Sequence, residues 1–211
     1  MAITFYDYSR APSPRRARIF LAEKGIDFDT VSIDMTKGEQ MSDAFRAINP
    51  ACTIPALKLE DGTVLTENAG IAAFLEAEYP NPPLLGANAI EKGLVANWTA
   101  KVEMEGLTAA AEALRNSSPG MKDRATTGPV NYPQIPELAQ RGLARLNAFF
   151  DMLNARLEGR DYIAIDRFSN ADITAAVVVD FAAWVKVVPQ EHHKNLTRWR
   201  ESLNSRPSML L

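Results

Sequence analysis

Cysteine and histidine are almost missing from this chain: 211 residues hold one cysteine, Cys52, and two adjacent histidines, His192 and His193. A single cysteine excludes an intrachain disulfide and fits a reducing compartment. So few soft ligands argue against a zinc site, and no metal is expected. A basic surplus is missing as well. Lys and Arg total 23 against 26 Asp and Glu, a net charge of −3, so no nucleic-acid partner is expected. The one dense basic cluster, Arg15-Arg16-Ala17-Arg18, is too short to reverse that balance. It reads as a charged helix surface near a linker or partner subunit, with Arg15 or Arg16 a candidate to screen an anionic ligand. Long apolar runs are absent. The longest, Ala175 to Val179, is far short of the roughly 20 residues that cross a bilayer. Met1-Ala2-Ile3-Thr4-Phe5 lacks the basic start of a signal peptide. The expected protein is soluble and cytoplasmic, with no membrane contact, so the sequons at Asn97, Asn116 and Asn195 carry no weight.

What is present is an ordinary globular composition, 46% apolar and 23% charged, long enough for a sizeable core. The pattern changes near residue 80. Before it, strands and helices alternate. Residues 3–8 read as a strand. Pro14 to Lys24 reads as a helix, with Ser13 as N-cap, Pro14 at the first helical position and Gly25 as C-cap. Phe28 to Ile33 reads as a strand and Ser42 to Ile48 as a short helix. Ala56 to Leu59 and Thr63 to Thr66 form a hairpin around Asp61-Gly62. Asn68 caps a helix to Glu78, which Tyr79-Pro80-Asn81-Pro82-Pro83 ends. The order βαβαββα is an α/β, thioredoxin-like layout over 1–80, with a linker at 81–88 and an all-α domain over 89–211. There Ala89 to Arg115 reads as one long helix, Asn116 to Pro136 as a loop, and Glu137 to Leu157 as a second long helix. Asp172 to Lys186 reads as a buried central helix and His192 to Asn204 as an amphipathic one.

Two places carry chemistry. A cis bond before Pro55 would turn the backbone N–H and C=O of Ile54 outward to meet an extended peptide ligand; an ordinary trans proline opening a strand is the alternative. Glu67-Asn68 stands 12 residues after Pro55, where a strand gives way to a helix. A helix N-terminus attracts an anion. Asn68 adds a donor and Glu67 an acceptor for an ammonium group, so the pair suits an amino-acid head. Asn68 is also, compatibly, a plain N-cap.

These residues resemble the cytosolic glutathione transferases, and closely the theta and zeta classes. The resemblance rests on Lys37-Gly38-Glu39-Gln40-Met41-Ser42-Asp43-Ala44-Phe45, on Asn49-Pro50-Ala51-Cys52-Thr53-Ile54-Pro55-Ala56-Leu57 and on Leu65-Thr66-Glu67-Asn68-Ala69-Gly70-Ile71. Ser169-Asn170-Ala171-Asp172-Ile173 is similar to the family's capping motif before its buried helix. The resemblance implies glutathione as co-substrate: Ile54, at the turn made by Pro55, pairs with its cysteinyl part, Glu67 and Asn68 hold the γ-glutamyl end, and Gln40 and Thr53 lie near the glycyl end. It also implies a homodimer and a second-substrate pocket between the domains, with Tyr8, Ala11, Trp98 and Glu105 as candidates.

The chemistry needs the thiolate, which a hydroxyl donor and a helix N-terminus both favour. Here the chain departs from the family, because the position of the theta, zeta and omega nucleophile-activating Ser or Cys falls on Ala11. Ser13 is the expected replacement, with Ser9, Tyr6 and Tyr8 as alternatives and backbone activation as another. The leading expectation is a glutathione transferase attacking an electrophilic small molecule. A glutathione-dependent disulfide reductase or peroxidase and a non-catalytic binding protein are the rivals. Maleyl isomerisation is disfavoured, since the zeta double serine reads Ala11-Pro12 here. Cys52 is expected as a small residue in a tight bend, and His192-His193 on a solvated first turn.

Overall fold

A computed structural model describes residues 2–211. The chain divides into two compact units, one running to Pro82 with Thr126–Asn131 and Leu211, the other made of Pro83–Ala125 and Tyr132–Leu210.

The first unit is a four-stranded sheet with helices. Strands β1 (Ile3–Asp7), β2 (Asp29–Ser32), β3 (Ala56–Leu59) and β4 (Val64–Thr66) lie in the order β2-β1-β3-β4. β1 runs parallel to β2 and antiparallel to β3, and β3 is antiparallel to β4. The crossover between the parallel strands is helix α1 (Pro12–Lys24); a short α2 (Asp43–Arg46) and α3 (Asn68–Glu78) complete the βαβαββα order. Strand alternation sends Tyr6 and its cross-strand partner Ala56 to one face, where they bury against Phe45, Ile33 and Ile54. Phe5 and its partner Leu57 point the other way, fully buried.

α1 starts two residues before the sequence expectation. Pro12, not Pro14, holds the first helical position, and Ala11 is the N-cap with φ −80 and ψ 137. The physical reason is the proline pair. The residue before a proline is pushed to extended backbone, which suits Ala11 as the last non-helical residue, and Pro12 already has a helical φ. Ser13 is therefore the second residue of the helix rather than its cap. α3 shows a similar offset: Glu67 is the N-cap and Asn68 the first helical residue.

Lys24, at the end of α1, is buried with its ammonium satisfied three times. Nζ lies 2.6 Å from Glu76 Oε2, the Tyr79 carbonyl and the Pro82 carbonyl. It ties α1 to the end of α3 and to the proline-rich segment that closes the unit. Lys24→Met should cost about 3 kcal/mol in urea unfolding, because it strips a largely buried carboxylate of this partner; a loss under about 1 kcal/mol would contradict the assignment.

The second unit is helical: α4 (Ala89–Lys101), α5 (Thr108–Ser117), α6 (Pro136–Arg156), α7 (Asn170–Ala182) and α8 (Lys194–Ser202). The single helix expected over 89–115 is interrupted. Val102–Leu107 is a π turn between α4 and α5. Gly106 explains the local fit, since a Cβ there would lie 2.7 Å from the Phe149 ring and 2.8 Å from Val178. The Glu103 carbonyl accepts the Thr108 N–H across the wide turn and also its hydroxyl, at 2.9 Å, while Arg145 Nη2 donates to the Met104 carbonyl. α7 begins at Asn170 and ends at Ala182, both earlier than expected. Its start is set by a reciprocal cap between Ser169 and Asp172. α7 is almost wholly buried, as its apolar sequence predicts. No helix among the described residues is long and apolar enough to cross a membrane.

Candidate functional site

In the first unit, the segment before β3 is built by Asn49. Its buried side chain donates from Nδ2 to the Thr53 carbonyl at 2.8 Å and to Thr53 Oγ1 at 3.1 Å, and accepts the Ala51 N–H at 3.1 Å. These bonds close a tight bend in which Cys52 adopts φ 54. Cys52 is buried, its Sγ 3.6 Å from the Pro50 carbonyl, which agrees with a packing role in the bend. The Ile54-Pro55 peptide that follows is cis. Ile54 and Pro55 are buried, and regular pairing of the strand begins only at Ala56. Sequence reading missed Asn49, although Asn-Pro is a turn signal that could have found it.

Glu67, between the end of β4 and the start of α3, also departs from ordinary backbone, with φ 58 and ψ 138. Such a conformation costs a non-glycine residue about 1–3 kcal/mol and tends to persist where function holds it. Glu67 is exposed, and the half-buried Asn68 follows it. Asn68 Nδ2 lies 3.0 Å from Ser13 Oγ. Arg16 Nη2 lies 3.4 Å from the same oxygen. The structure thus brings together two residues 55 positions apart, each in the first turn of a helix. Two helix N-termini and a guanidinium surround one hydroxyl. Each contributes positive potential, a setting that favours an anion. Because Asn68 and Arg16 donate to Ser13 Oγ, its own hydrogen is left to donate elsewhere.

The Asn68 Oδ1 atom and Gln40 Oε1 are buried without a hydrogen-bond partner among the described residues. Gln40 is buried in the 3₁₀ turn Glu39–Met41. Thr53 keeps its hydroxyl hydrogen while its oxygens serve Asn49. Tyr8 and Ala11 are half-buried beside the Tyr6–Phe45–Ile54 cluster, and Ala11 offers no polar group. The basic cluster is not the expected surface: Arg16 is 7% exposed, and Arg18 pairs with Asp7 at 2.5 Å. Arg16 lies on the buried face of α1, and Arg18 is half-buried beside it.

In the second unit, Trp98 is half-buried between two cations, Lys101 Nζ at 5.0 Å and Arg156 Cζ at 4.8 Å from its ring centre. Glu105 is exposed on the π turn, 3.3 Å from Arg145. The histidines also differ from expectation. His192 is exposed, but His193 is buried before α8 with its ring edge-on to Phe150. Its Nδ1 accepts the Gln190 N–H at 2.9 Å, which leaves the proton on Nε2, facing Asp151 Oδ1 at 2.9 Å. His192 Nε2 lies 3.2 Å from the same oxygen. These bonds hold the Asp151 carboxyl below its ordinary pKa, that from His193 most. Asp151, His192 and His193 are close enough to converge on a cation, but the donor chemistry fits hydrogen bonding instead. A His193 with its Nδ1 lone pair engaged has no free lone pair at Nε2.

A thioredoxin-like unit carrying a cis-proline bend and an anion-suited helix start, joined to a helical unit, is the architecture of a glutathione-binding transferase. The family profiles agree: the Glutathione S-transferase N-terminal domain matches residues 11–78 and the C-terminal domain residues 118–207. Glutathione S-transferase 2 of Saccharomyces cerevisiae is 35% identical over 210 residues, covering 97% of this chain and 86% of that protein. A glutathione S-transferase domain-containing protein of Marinobacter aquaeolei superposes with TM-score 0.89 at 32% identity, covering 98% of this chain and 99% of that one. Gtt2 from Saccharomyces cerevisiae does so with TM-score 0.89 at 32% identity, over 98% of each chain. The chain belongs to the glutathione S-transferase family and is a transferase enzyme, with glutathione as the family's co-substrate.

Proposed function

We propose that this protein conjugates glutathione to an electrophilic small molecule, with the thiolate stabilised by the Ser13 hydroxyl. The observation that carries the reading is the 3.0 Å contact from Asn68 Nδ2 to Ser13 Oγ. It leaves the hydroxyl hydrogen available to a thiolate, and it joins Ser13 to Asn68, which with Glu67 would hold the γ-glutamyl end. Ile54 before cis-Pro55 would pair with the cysteinyl backbone, and the Gln40 amide NH₂ and the Thr53 hydroxyl would donate to the glycyl end. Tyr8, Ala11, Trp98 and Glu105 remain the candidates for contacting the second substrate. A homodimer in the cytoplasm is the working assembly and place.

The reaction balances simply. The thiolate sulfur bonds to an electrophilic carbon, the leaving group departs with its electron pair, and the thiol proton has already passed to solvent. Chlorodinitrobenzene is a suitable probe, releasing chloride. Conjugation measured beside glutathione-dependent reduction of a mixed disulfide tests the reading. The expected result is conjugation with disulfide turnover at least tenfold slower (about 1.4 kcal/mol in barrier). Disulfide turnover without conjugation would overturn it, as would glutathione binding with neither activity.

A further inference from the structure

The basic cluster on α1 holds a residue that the site described so far does not use. Arg18 is 12% exposed and its guanidinium grips two places at once. Nη1 lies 2.5 Å from Asp7 Oδ2, and Nη2 donates to the Ser9 carbonyl at 3.1 Å. Asp7 is the last residue of β1, anchored to the sheet edge by its carbonyl, which accepts the Ile33 N–H at 2.8 Å. Its side chain is 8% exposed, and Oδ1 is buried with no hydrogen-bond partner among the described residues. Arg18 therefore does more than neutralise a carboxylate. It fixes the exit of β1 against the loop that leads to Ser13.

That loop is short and stiff. Ala11 N–H donates to the Tyr8 carbonyl at 2.9 Å. Pro12 and Pro14 then lock their own backbone φ. A shift of Ser9 has little slack in which to dissipate before Ser13, four residues on. We propose that Arg18 is a positioning residue for thiol activation: bound to Asp7 and to the Ser9 carbonyl, it sets where the Ser9–Ser13 segment presents its donor. The proposal rests on the reading that this segment activates the thiol. It depends on the planar arginine fork, since a lysine ammonium on its flexible stem cannot hold both oxygens in one fixed geometry.

The test uses the full chain with Arg18→Lys, Arg18→Gln, Ser13→Ala and the Ser13→Ala/Arg18→Lys pair. Readouts are kcat and KM for glutathione, and the pKa of the bound thiol from its ultraviolet thiolate absorbance. Arg18→Gln should lower kcat by about ten- to a hundredfold, the scale of a small misplacement of a reacting group. KM should change less than kcat, because the Ile54 and Glu67 contacts lie outside the segment and only the Asn68–Ser13 bond joins it to the glutathione-holding residues. Arg18→Lys, which keeps a cation beside Asp7 and so protects the fold, should show a smaller loss of the same kind and a raised thiol pKa. In the Ser13→Ala background, Arg18→Lys should raise that pKa no further, as expected for groups that act as one unit. A folded Arg18→Lys protein with wild-type kcat and thiol pKa overturns the proposal, and decides the matter if Arg18→Gln does not fold. An unmoved thiol pKa in Ser13→Ala defeats the Ser13 reading alone. The clamp then stands if Arg18→Lys still raises the pKa, acting through another group of the segment, and falls if it does not.

Discussion

Ser13→Ala should lower kcat/KM for conjugation by about 10- to 100-fold at neutral pH. The magnitude follows from the value of one hydrogen bond to a charged group, about 1.5–3 kcal/mol, with each 1.4 kcal/mol being about tenfold. The same energy should raise the pKa of bound glutathione by about one to two units. The sign fixes the pH dependence. A hydroxyl that stabilises the thiolate lowers the thiol pKa, so its removal leaves less thiolate at neutral pH. The deficit should shrink as pH rises, because the variant's thiol ionises too. Ser13→Thr keeps the hydroxyl and should retain most activity. Asn68→Ala leaves Ser13 in place but frees its rotor, so its loss of kcat should be smaller than that of Ser13→Ala and accompanied by weaker glutathione binding. Pre-steady-state thiolate titration checks these outcomes together. A Ser13→Ala protein with the wild-type thiol pKa would remove Ser13 from the chemistry.

The architecture was legible because proline, glycine and alternating apolar residues punctuate this chain strongly. Asp61-Gly62 marks the β3–β4 hairpin, Gly25 the end of α1, and the run Tyr79 to Pro83 the end of α3. The boundary errors have local physical causes. With Pro12 and Pro14 both available, the chain offers two first-turn positions, and only the extended Ala11 shows which one is used. The π turn over Val102–Leu107 depends on how Gly106 meets Phe149, a contact 43 residues away in sequence that no periodicity encodes. In the candidate site, Ser13 and Asn68 carry separate sequence signals, but their contact is tertiary. The left-handed backbone at Cys52 and Glu67 has no signature in residue types that usually avoid it. The burial of His193 was equally hidden. The ring packs on Phe150 and bonds Asp151, both of α6 and at least 42 residues away, while Asn154 of the same helix accepts the N–H groups of Asn195 and Leu196 at the start of α8.

Asp172→Ala should cost the largest amount of stability of any single change considered, about 3–5 kcal/mol. Asp172 is fully buried at the start of α7 and serves four donors. Oδ1 accepts the Ile163 N–H at 2.9 Å and the Trp199 Nε1–H at 3.2 Å; Oδ2 accepts the Ser169 N–H at 3.1 Å and its hydroxyl at 2.9 Å. One carboxylate thus joins the loop before α7, the helix start and the indole of α8. Alanine leaves Ile163, Ser169 and Trp199 donors buried without acceptors, each costing about 1–3 kcal/mol. Asp172→Asn is gentler but still incompatible, because its NH₂ must face either an N–H or an indole N–H. A pH signature separates this account from a generic packing loss. Burial raises the Asp172 pKa, against the opposing hydrogen bonds, from 3.8 to about 6. Protonation is sterically simple, since the Ser169 hydroxyl can turn from donor to acceptor. A raised folded-state pKa means that the folded protein binds the proton more tightly than the unfolded chain. The stability from this group is full below the unfolded value and is lost as pH rises through the folded one. The wild-type advantage over Asp172→Asn should therefore be greatest near pH 4, shrink by about 3 kcal/mol up to pH 6, and stay level above. Urea unfolding of the two proteins across that range, taken as a difference so that other groups cancel, measures it. A difference independent of pH would mean that Asp172 stays ionised throughout, with its four donors outweighing its burial.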